Sequence, residues 1–366
     1  MIQPKPEITN TPPAHHGAFD YDELRRLGYS PDEVIDFSVN SNPYGPPPGV
    51  REAIARVPLD RYPDRECIAL REKLAEQHHV EIEHIVFGNG TAELLLLIAL
   101  AFLRPGDRAA VTDVTFAEYR RAASIVGAAV QSLTWTPADG HARFDPQEQM
   151  RDAAARFAGV RLVFLCNPNN PDGAHLPASW ISERWVAQHP ETLFVIDEAY
   201  ANFLPEPESI IGPMPSNLLV VRSLTKDYAL AGLRLGYAVG HPDLIGAVRR
   251  VRPAWNVNAL AQAAGLAVLD QDGWLRDTVR RLHDDKRELA AGLRALGLQP
   301  LPSSVHYFLI NVGNGADFRS RLLRRRIMVR DCASFGLPQY VRIATRTPGE
   351  NAQLIEAVRL IVEGEI

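Results

Sequence analysis

From residue 85 to residue 221 the chain repeats one kind of unit: a short strand-forming run, a turn, then a helical stretch. The runs are Ile85–Phe87, Ala109–Val111, Leu162–Leu165, Leu193–Ile196 and Leu218–Val221. Helical periodicity fills 66–78 and 91–103. Strands alternating with helices predict an α/β fold, a mainly parallel sheet covered on both faces. Such sheets gather ligands at the carboxyl ends of their strands, so the residues just after each run are the ones to inspect.

The flanks differ from this core. Residues 1–48 hold a short polar helix near Tyr21–Leu27, a strand-like Val34–Phe37 and a proline-rich turn, and read as an arm. Residues 49–255 form the large α/β domain. Residues 256–366 combine helices with strand-like 307–312, 327–330 and 340–344, a smaller α+β domain.

Bulk properties narrow the function. With 366 residues the chain has material for two domains, and its net charge of −5 offers no basic field to nucleic acid. The longest apolar run, Leu94–Leu103, is too short to span a bilayer and reads as a buried helix. Cys67, Cys166 and Cys332 stand apart, with no zinc spacing or disulfide framework, which fits a reducing cytoplasm.

Lysine is scarce: four of the 39 Lys and Arg residues, namely Lys5, Lys73, Lys226 and Lys286. Lys73 and Lys286 lie in charged helical stretches and read as solvated surface charges. Lys226 follows the run Leu218–Val221 at a strand-to-helix junction, where a side chain meets the ligand edge of the sheet. An amine there, depressed in pKa by burial and by cations such as Arg222 and Arg234, suits Schiff-base chemistry.

The neighbouring motifs extend this. Arg234, eight residues on in Ala231-Gly-Leu-Arg-Leu-Gly, can grip a phosphate bidentately, and Ser223 can donate to it. Gly90 and Thr91 open a helix after a strand, an anion-binding arrangement that a simple capped turn would also produce. Asp197 ends the run Leu193–Ile196; it suits a metal ligand, a general base or a partner for a cationic ring nitrogen. No His or Cys cluster accompanies it, and a pyridinium ring favours the third role. Tyr200 lies three residues on. Asn167-Pro-Asn-Asn-Pro-Asp-Gly is a rigid turn, and Phe116 and Tyr119 are aromatics able to stack on a flat ring or to pack in the core.

In order and spacing these motifs resemble the fold-type I pyridoxal-phosphate enzymes of the class I/II aminotransferase superfamily. The matching features are G-N-G-T, the aromatic after the next strand, N-P-N-N-P-x-G, D-E-A-Y, and S-x-T-K with Arg eight residues later, from about residue 15 to the C-terminus. The resemblance implies an aspartate-aminotransferase-like fold with a seven-stranded-type sheet, pyridoxal 5′-phosphate as cofactor, and a homodimer. It implies Lys226 as the Schiff-base lysine and proton shuttle, Asp197 on the ring nitrogen, and Asn170 and Tyr200 on the phenolic oxygen. Gly90, Thr91, Ser223 and Arg234 would hold the phosphate, and Phe116, or else Tyr119, would stack on the ring. Arg342 would clamp the substrate carboxylate, and Tyr62 would reach the neighbouring subunit's cofactor. Asp172 stands where the family usually has Thr, placing a carboxylate near the ring edge.

Two branches compete. Asn42-Pro-Tyr-Gly-Pro, Asp197-Glu-Ala-Tyr and Arg330-Asp-Cys-Ala-Ser-Phe-Gly-Leu-Pro resemble histidinol-phosphate aminotransferases, which puts Asn42 among the substrate contacts. His15-His-Gly, Arg26-Leu-Gly-Tyr-Ser-Pro-Asp and Arg342–Arg346 resemble L-threonine-O-3-phosphate decarboxylases. Tyr200, often Phe in the decarboxylases, favours transamination of a small amino substrate with a 2-oxo acid; Arg346 and the arm favour decarboxylation. Both branches use phosphorylated substrates, so a second substrate arginine is expected among Arg346, Arg222 and Arg330. A non-catalytic binding protein on this fold would be expected to lack Lys226 or Asp197. A dinucleotide oxidoreductase would need a third glycine after Gly88-Asn-Gly.

Overall fold

A computed structural model describes residues 2–135 and 146–364. Among the described residues twelve strands run in chain order: β1 (Ile35–Asp36), β2 (Ile85–Gly88), β3 (Arg108–Thr112), β4 (Ala129–Leu133), β5 (Leu162–Cys166), β6 (Leu193–Asp197), β7 (Leu218–Ser223), β8 (Gly236–Gly240), β9 (Tyr307–Asn311), β10 (Ile327–Met328), β11 (Arg330–Asp331) and β12 (Tyr340–Ala344). Seven form one sheet in the order β2-β8-β7-β6-β5-β3-β4. All are parallel except β8, which runs antiparallel to both neighbours.

The central strands are buried along their whole length, as a sheet covered on both faces requires. Alternate residues serve opposite cores. Leu193 and Val195 of β6 pack with Leu94, Ile98 and Tyr119 on one face, while Phe194 and Ile196 pack with Trp185 and Phe157 on the other. The apolar run Leu94–Leu103 becomes the helix Thr91–Phe102 against the first face. Among the described residues no helix is long and apolar enough to cross a membrane.

Two strands of this sheet lie outside the runs read from sequence. β4 is an edge strand with a half-polar, partly exposed pattern. β8 carries glycines at both ends, the composition of a turn, and a Cβ at Gly240 would stand 2.3 Å from a Leu219 side-chain carbon. Its glycines therefore allow close strand packing as well as ligand approach.

A second, antiparallel sheet has the order β11-β12-β9, and the arm's β1 pairs in parallel with β10. Phe37 of the arm is fully buried with Phe308, Ile343 and Val358. The long helix Asp272–Ala295 and the helix Pro348–Val362 cover this sheet.

Candidate active site

A cavity of about 500 Å³ opens where the carboxyl ends of β5, β6 and β7 meet the arm and the second sheet. Lys226, Asp197, Asn170, Tyr200, Ser223, Thr91, Arg234, Phe116 and Arg342 all border it.

Its anion cup is built by backbone geometry. Gly90 has φ +78°, and a Cβ there would lie 2.6 Å from a guanidinium nitrogen of Arg234. Glycine is thus required both for the turn and for the approach of Arg234. The helix from Thr91 presents free N–H groups into the same space, and Ser223 is buried beside them. Helix N–H groups, a hydroxyl and a guanidinium converge, which fits a phosphate.

Behind the cup, Asp197 is 2% exposed, and burial pushes its carboxyl up to about 6. Tyr119 donates its hydroxyl to Oδ2 at 2.9 Å, and the Ala199 N–H donates to Oδ1 at 3.0 Å. Each carboxylate oxygen keeps acceptor capacity, and a cationic N–H donor there would offset the burial cost. Lys226 is enclosed too. Burial lowers its ammonium to about 8, Arg342 and Arg234 add repulsion, and Asp197 opposes them. Arg342 thus takes the place expected for Arg222, which is paired with Glu198 at 2.9 Å and lies outside the cavity lining.

The two aromatic candidates separate. Phe116 is partly exposed and borders the cavity beside the His16 ring, 5.3 Å away. Tyr119 also borders the cavity but is fully buried, stacked on Phe164 and committed to Asp197. Its position supports the carboxylate rather than covering a ring.

The substrate side is set by Arg342. Its guanidinium donates to the Asn170 side-chain oxygen and to the Ser38 carbonyl. A guanidinium only donates, so the Asn170 amide must turn its Nδ2 the other way, leaving a donor for a phenolate. Asn40, which the sequence reading missed, donates to the Tyr200 hydroxyl at 3.3 Å. Burial raises that hydroxyl to about 12. Arg330 borders the same cavity, donating to the His15 carbonyl at 3.0 Å and to Ser334 Oγ at 2.6 Å.

Several expectations are corrected. Asn42 does not border the cavity; its amide donates to the Asp227 carbonyl and to Thr278 Oγ1, and its N–H donates to the Lys226 carbonyl at 2.8 Å. It fastens the segment carrying Lys226. Arg346 also stands outside the lining, gripping Glu350 at 2.7 Å and the Asp36 carbonyl at 3.0 Å. Asp172 is buried in its turn, accepting from Trp135, Asn169 and the Ala174 N–H, so it organises that turn and does not line the cavity. Lys286 is not solvated: it donates to the carbonyls of Ser303 and Val305, both at 2.6 Å, and burial lowers it to about 8. Tyr62 is 80% exposed, stacked on Trp255 and away from the cavity of its own chain.

Comparison with known proteins agrees with this geometry. The family described as aminotransferase class I and II matches residues 32–358. A histidinol-phosphate aminotransferase of Symbiobacterium thermophilum is 36% identical over 92% of this chain and 92% of its own length. The structure of an L-threonine-O-3-phosphate decarboxylase from Porphyromonas gingivalis superposes with TM-score 0.78 at 29% identity, covering 89% of this chain and 99% of that one. For the fold alone, a histidinol-phosphate aminotransferase from Sinorhizobium meliloti, solved with pyridoxal-5′-phosphate, superposes with TM-score 0.87 at 24% identity over 100% and 99% of the two chains. With a phosphate cup, a buried carboxylate and a buried lysine in one cavity, the chain belongs to the class I and II aminotransferase family and is a pyridoxal-phosphate-dependent transaminase.

Proposed function

We propose that this transaminase takes a phosphorylated amino substrate of the histidinol-phosphate kind, exchanges its amino group with a 2-oxo acid, and works as a homodimer. The observation that carries the reading is the pair of guanidiniums, Arg342 and Arg330, on the substrate side of one cavity. Arg342 suits the carboxylate of the amino-acid partner. Arg330, which donates to a carbonyl and a hydroxyl rather than to a carboxylate, suits the distal phosphate.

Pyridoxal phosphate, when bound, supplies an electron sink for negative charge at the substrate Cα. Gly90, Thr91, Ser223 and Arg234 would hold its phosphate, and Asp197 would keep its ring nitrogen protonated. Asn170 Nδ2 and the Tyr200 hydroxyl would hold its phenolic oxygen, with Phe116 over the ring. Lys226 would hold the cofactor between turnovers. Once freed by substrate, its amine would take the proton from the substrate Cα and deliver it across the imine nitrogen to the cofactor side, a transfer the lowered pKa favours near neutral pH. The exposed Tyr62 ring suits a contact with the cup of a second subunit.

One observation favours a second reading. His15, His16 and Gly17 border the cavity beside Arg330, and this His-His-Gly stretch is one of those that resemble the decarboxylases. A single experiment separates the readings. Incubation with histidinol phosphate and 2-oxoglutarate should form glutamate, and L-threonine phosphate should release no CO2. The opposite result would replace transamination of histidinol phosphate with decarboxylation.

A further inference from the structure

The long helix Asp272–Ala295 carries a basic stripe that transamination does not use. Arg276, Arg280, Arg287 and Arg294 follow one another at spacings of four, seven and seven residues. At 3.6 residues per turn they lie within roughly 40° of one another around the helix. All four border a groove of about 790 Å³, larger than the transamination cavity. The opposite wall is the segment after Tyr200, with Leu204, Pro205 and Pro207, and Leu275, Val279 and Ala290 supply further apolar surface.

The charge here runs against that of the chain. The net charge of the protein is −5, yet the groove gathers four arginines against one carboxylate, Asp284. Asp284 accepts from Arg287 in an exposed pair, and Arg280 makes a similar exposed pair with Asp277. Such pairs contribute little and give way to a stronger anion. Among the described residues Arg276 and Arg294 make no ion pair or side-chain hydrogen bond.

We propose that this groove is a second binding site, for a small molecule with an aromatic body and several anionic groups, of the nucleoside polyphosphate class. Arginine recognises phosphate bidentately. The apolar wall gives a flat ring a surface to leave water against. The volume lies within the range of ligand pockets, roughly 300–1,000 Å³. The wall residue Asn202 also accepts from Arg222 and donates to Asp227, each at 2.6 Å, so the groove has a rigid, hydrogen-bonded side.

The test uses the cofactor-loaded enzyme with saturating 2-oxoglutarate, so that the phosphate cup and the substrate side are both filled. The trinitrophenyl derivative of ATP is titrated in and its fluorescence followed. Saturable binding is expected, displaced well by ATP and poorly by adenosine or inorganic tripolyphosphate. R287E/R294E should weaken the probe about 100-fold, whereas R51E on a distant helix leaves it unchanged. Transaminase activity without nucleotide should be the same in both. If R287E/R294E melts early, R276Q/R294Q removes charges that have no ion-pair partner and should still cost about tenfold. No saturable binding up to about 1 mM, or an affinity indifferent to these substitutions, would overturn the proposal. Equal displacement by ATP and tripolyphosphate would also overturn it, because the aromatic body would then contribute nothing.

Discussion

The two sides of the cavity are built differently. The cofactor side comes from one rigid sheet, with Thr91 after β2, Asp197 ending β6, Ser223 ending β7 and Lys226 three residues later. The substrate side is assembled from the arm, the 167–173 turn and the second sheet. Arg342 meets Asn170 from 172 residues away and Ser38 from 304 residues away. On the first side, position along a strand dictates position in space. On the second, contacts between distant segments do. Chemistry common to many substrates therefore rests on the sheet, and selection among substrates rests on the junction.

Removing a residue from the sheet side should cost most. Lys226→Ala deletes both the covalent anchor and the proton carrier. Turnover should fall at least about 10⁴-fold and the visible absorption of the holoenzyme should vanish; a surviving band would show that another amine holds the cofactor. Asp197→Asn keeps the shape but removes the charge opposite the ring nitrogen. A loss of roughly 10²–10³-fold in kcat, with cofactor still bound, is expected. Full activity would refute the electron-sink role.

The pH dependence of cofactor capture probes the same side. Only a neutral amine attacks the aldehyde, and burial has brought Lys226 down to about 8. Because the folded pKa is lowered, the reactive form grows about tenfold per pH unit up to that value and then saturates. Stopped-flow mixing of cofactor-free enzyme with pyridoxal phosphate should show a rate that climbs from pH 6 and levels near 8. A rate still climbing steeply beyond pH 9 would mean that the amine is solvated.

The same contrast explains what the sequence could reveal. Lys226, Asp197, Arg234 and Gly90 lie in short motifs that directly follow strand runs; the structure brings the first three into one cavity and sets Gly90 against the Arg234 guanidinium. The parallel sheet was legible because most of its strands are continuous apolar runs. β8 was not, since glycine at both ends looks like a turn, and β4 was not, since an edge strand need not be apolar. Asn42 and Asn40 show the limit more finely. They stand two residues apart in one polar turn, and only the fold turns Asn40 toward Tyr200 and Asn42 toward Thr278. Arg330 and Arg346 were equivalent candidates until Glu350 was seen to hold one of them.

That last pair gives the test of the substrate side. Arg330→Ala should raise KM for a phosphorylated substrate roughly 10–100-fold and leave KM for an unphosphorylated amino acid nearly unchanged. An equal effect on both would assign Arg330 to the framework.

Arg346→Ala is the counterpart, with the smallest effect. Its guanidinium ties the Asp36 carbonyl of β1 to Glu350 in the first turn of the helix Pro348–Val362, and it lies over the Phe37 ring. The pair is about a quarter exposed on each side, so solvent screens much of its attraction. Its loss should cost about 1 kcal/mol of stability, seen as a modest drop in melting temperature, with KM for the phosphorylated substrate within about twofold. Should KM instead rise tenfold at unchanged stability, Arg346 would have to leave Glu350 for the substrate. The arm and second sheet would then rearrange on binding, and the substrate side would be a moving junction rather than the fixed one described above.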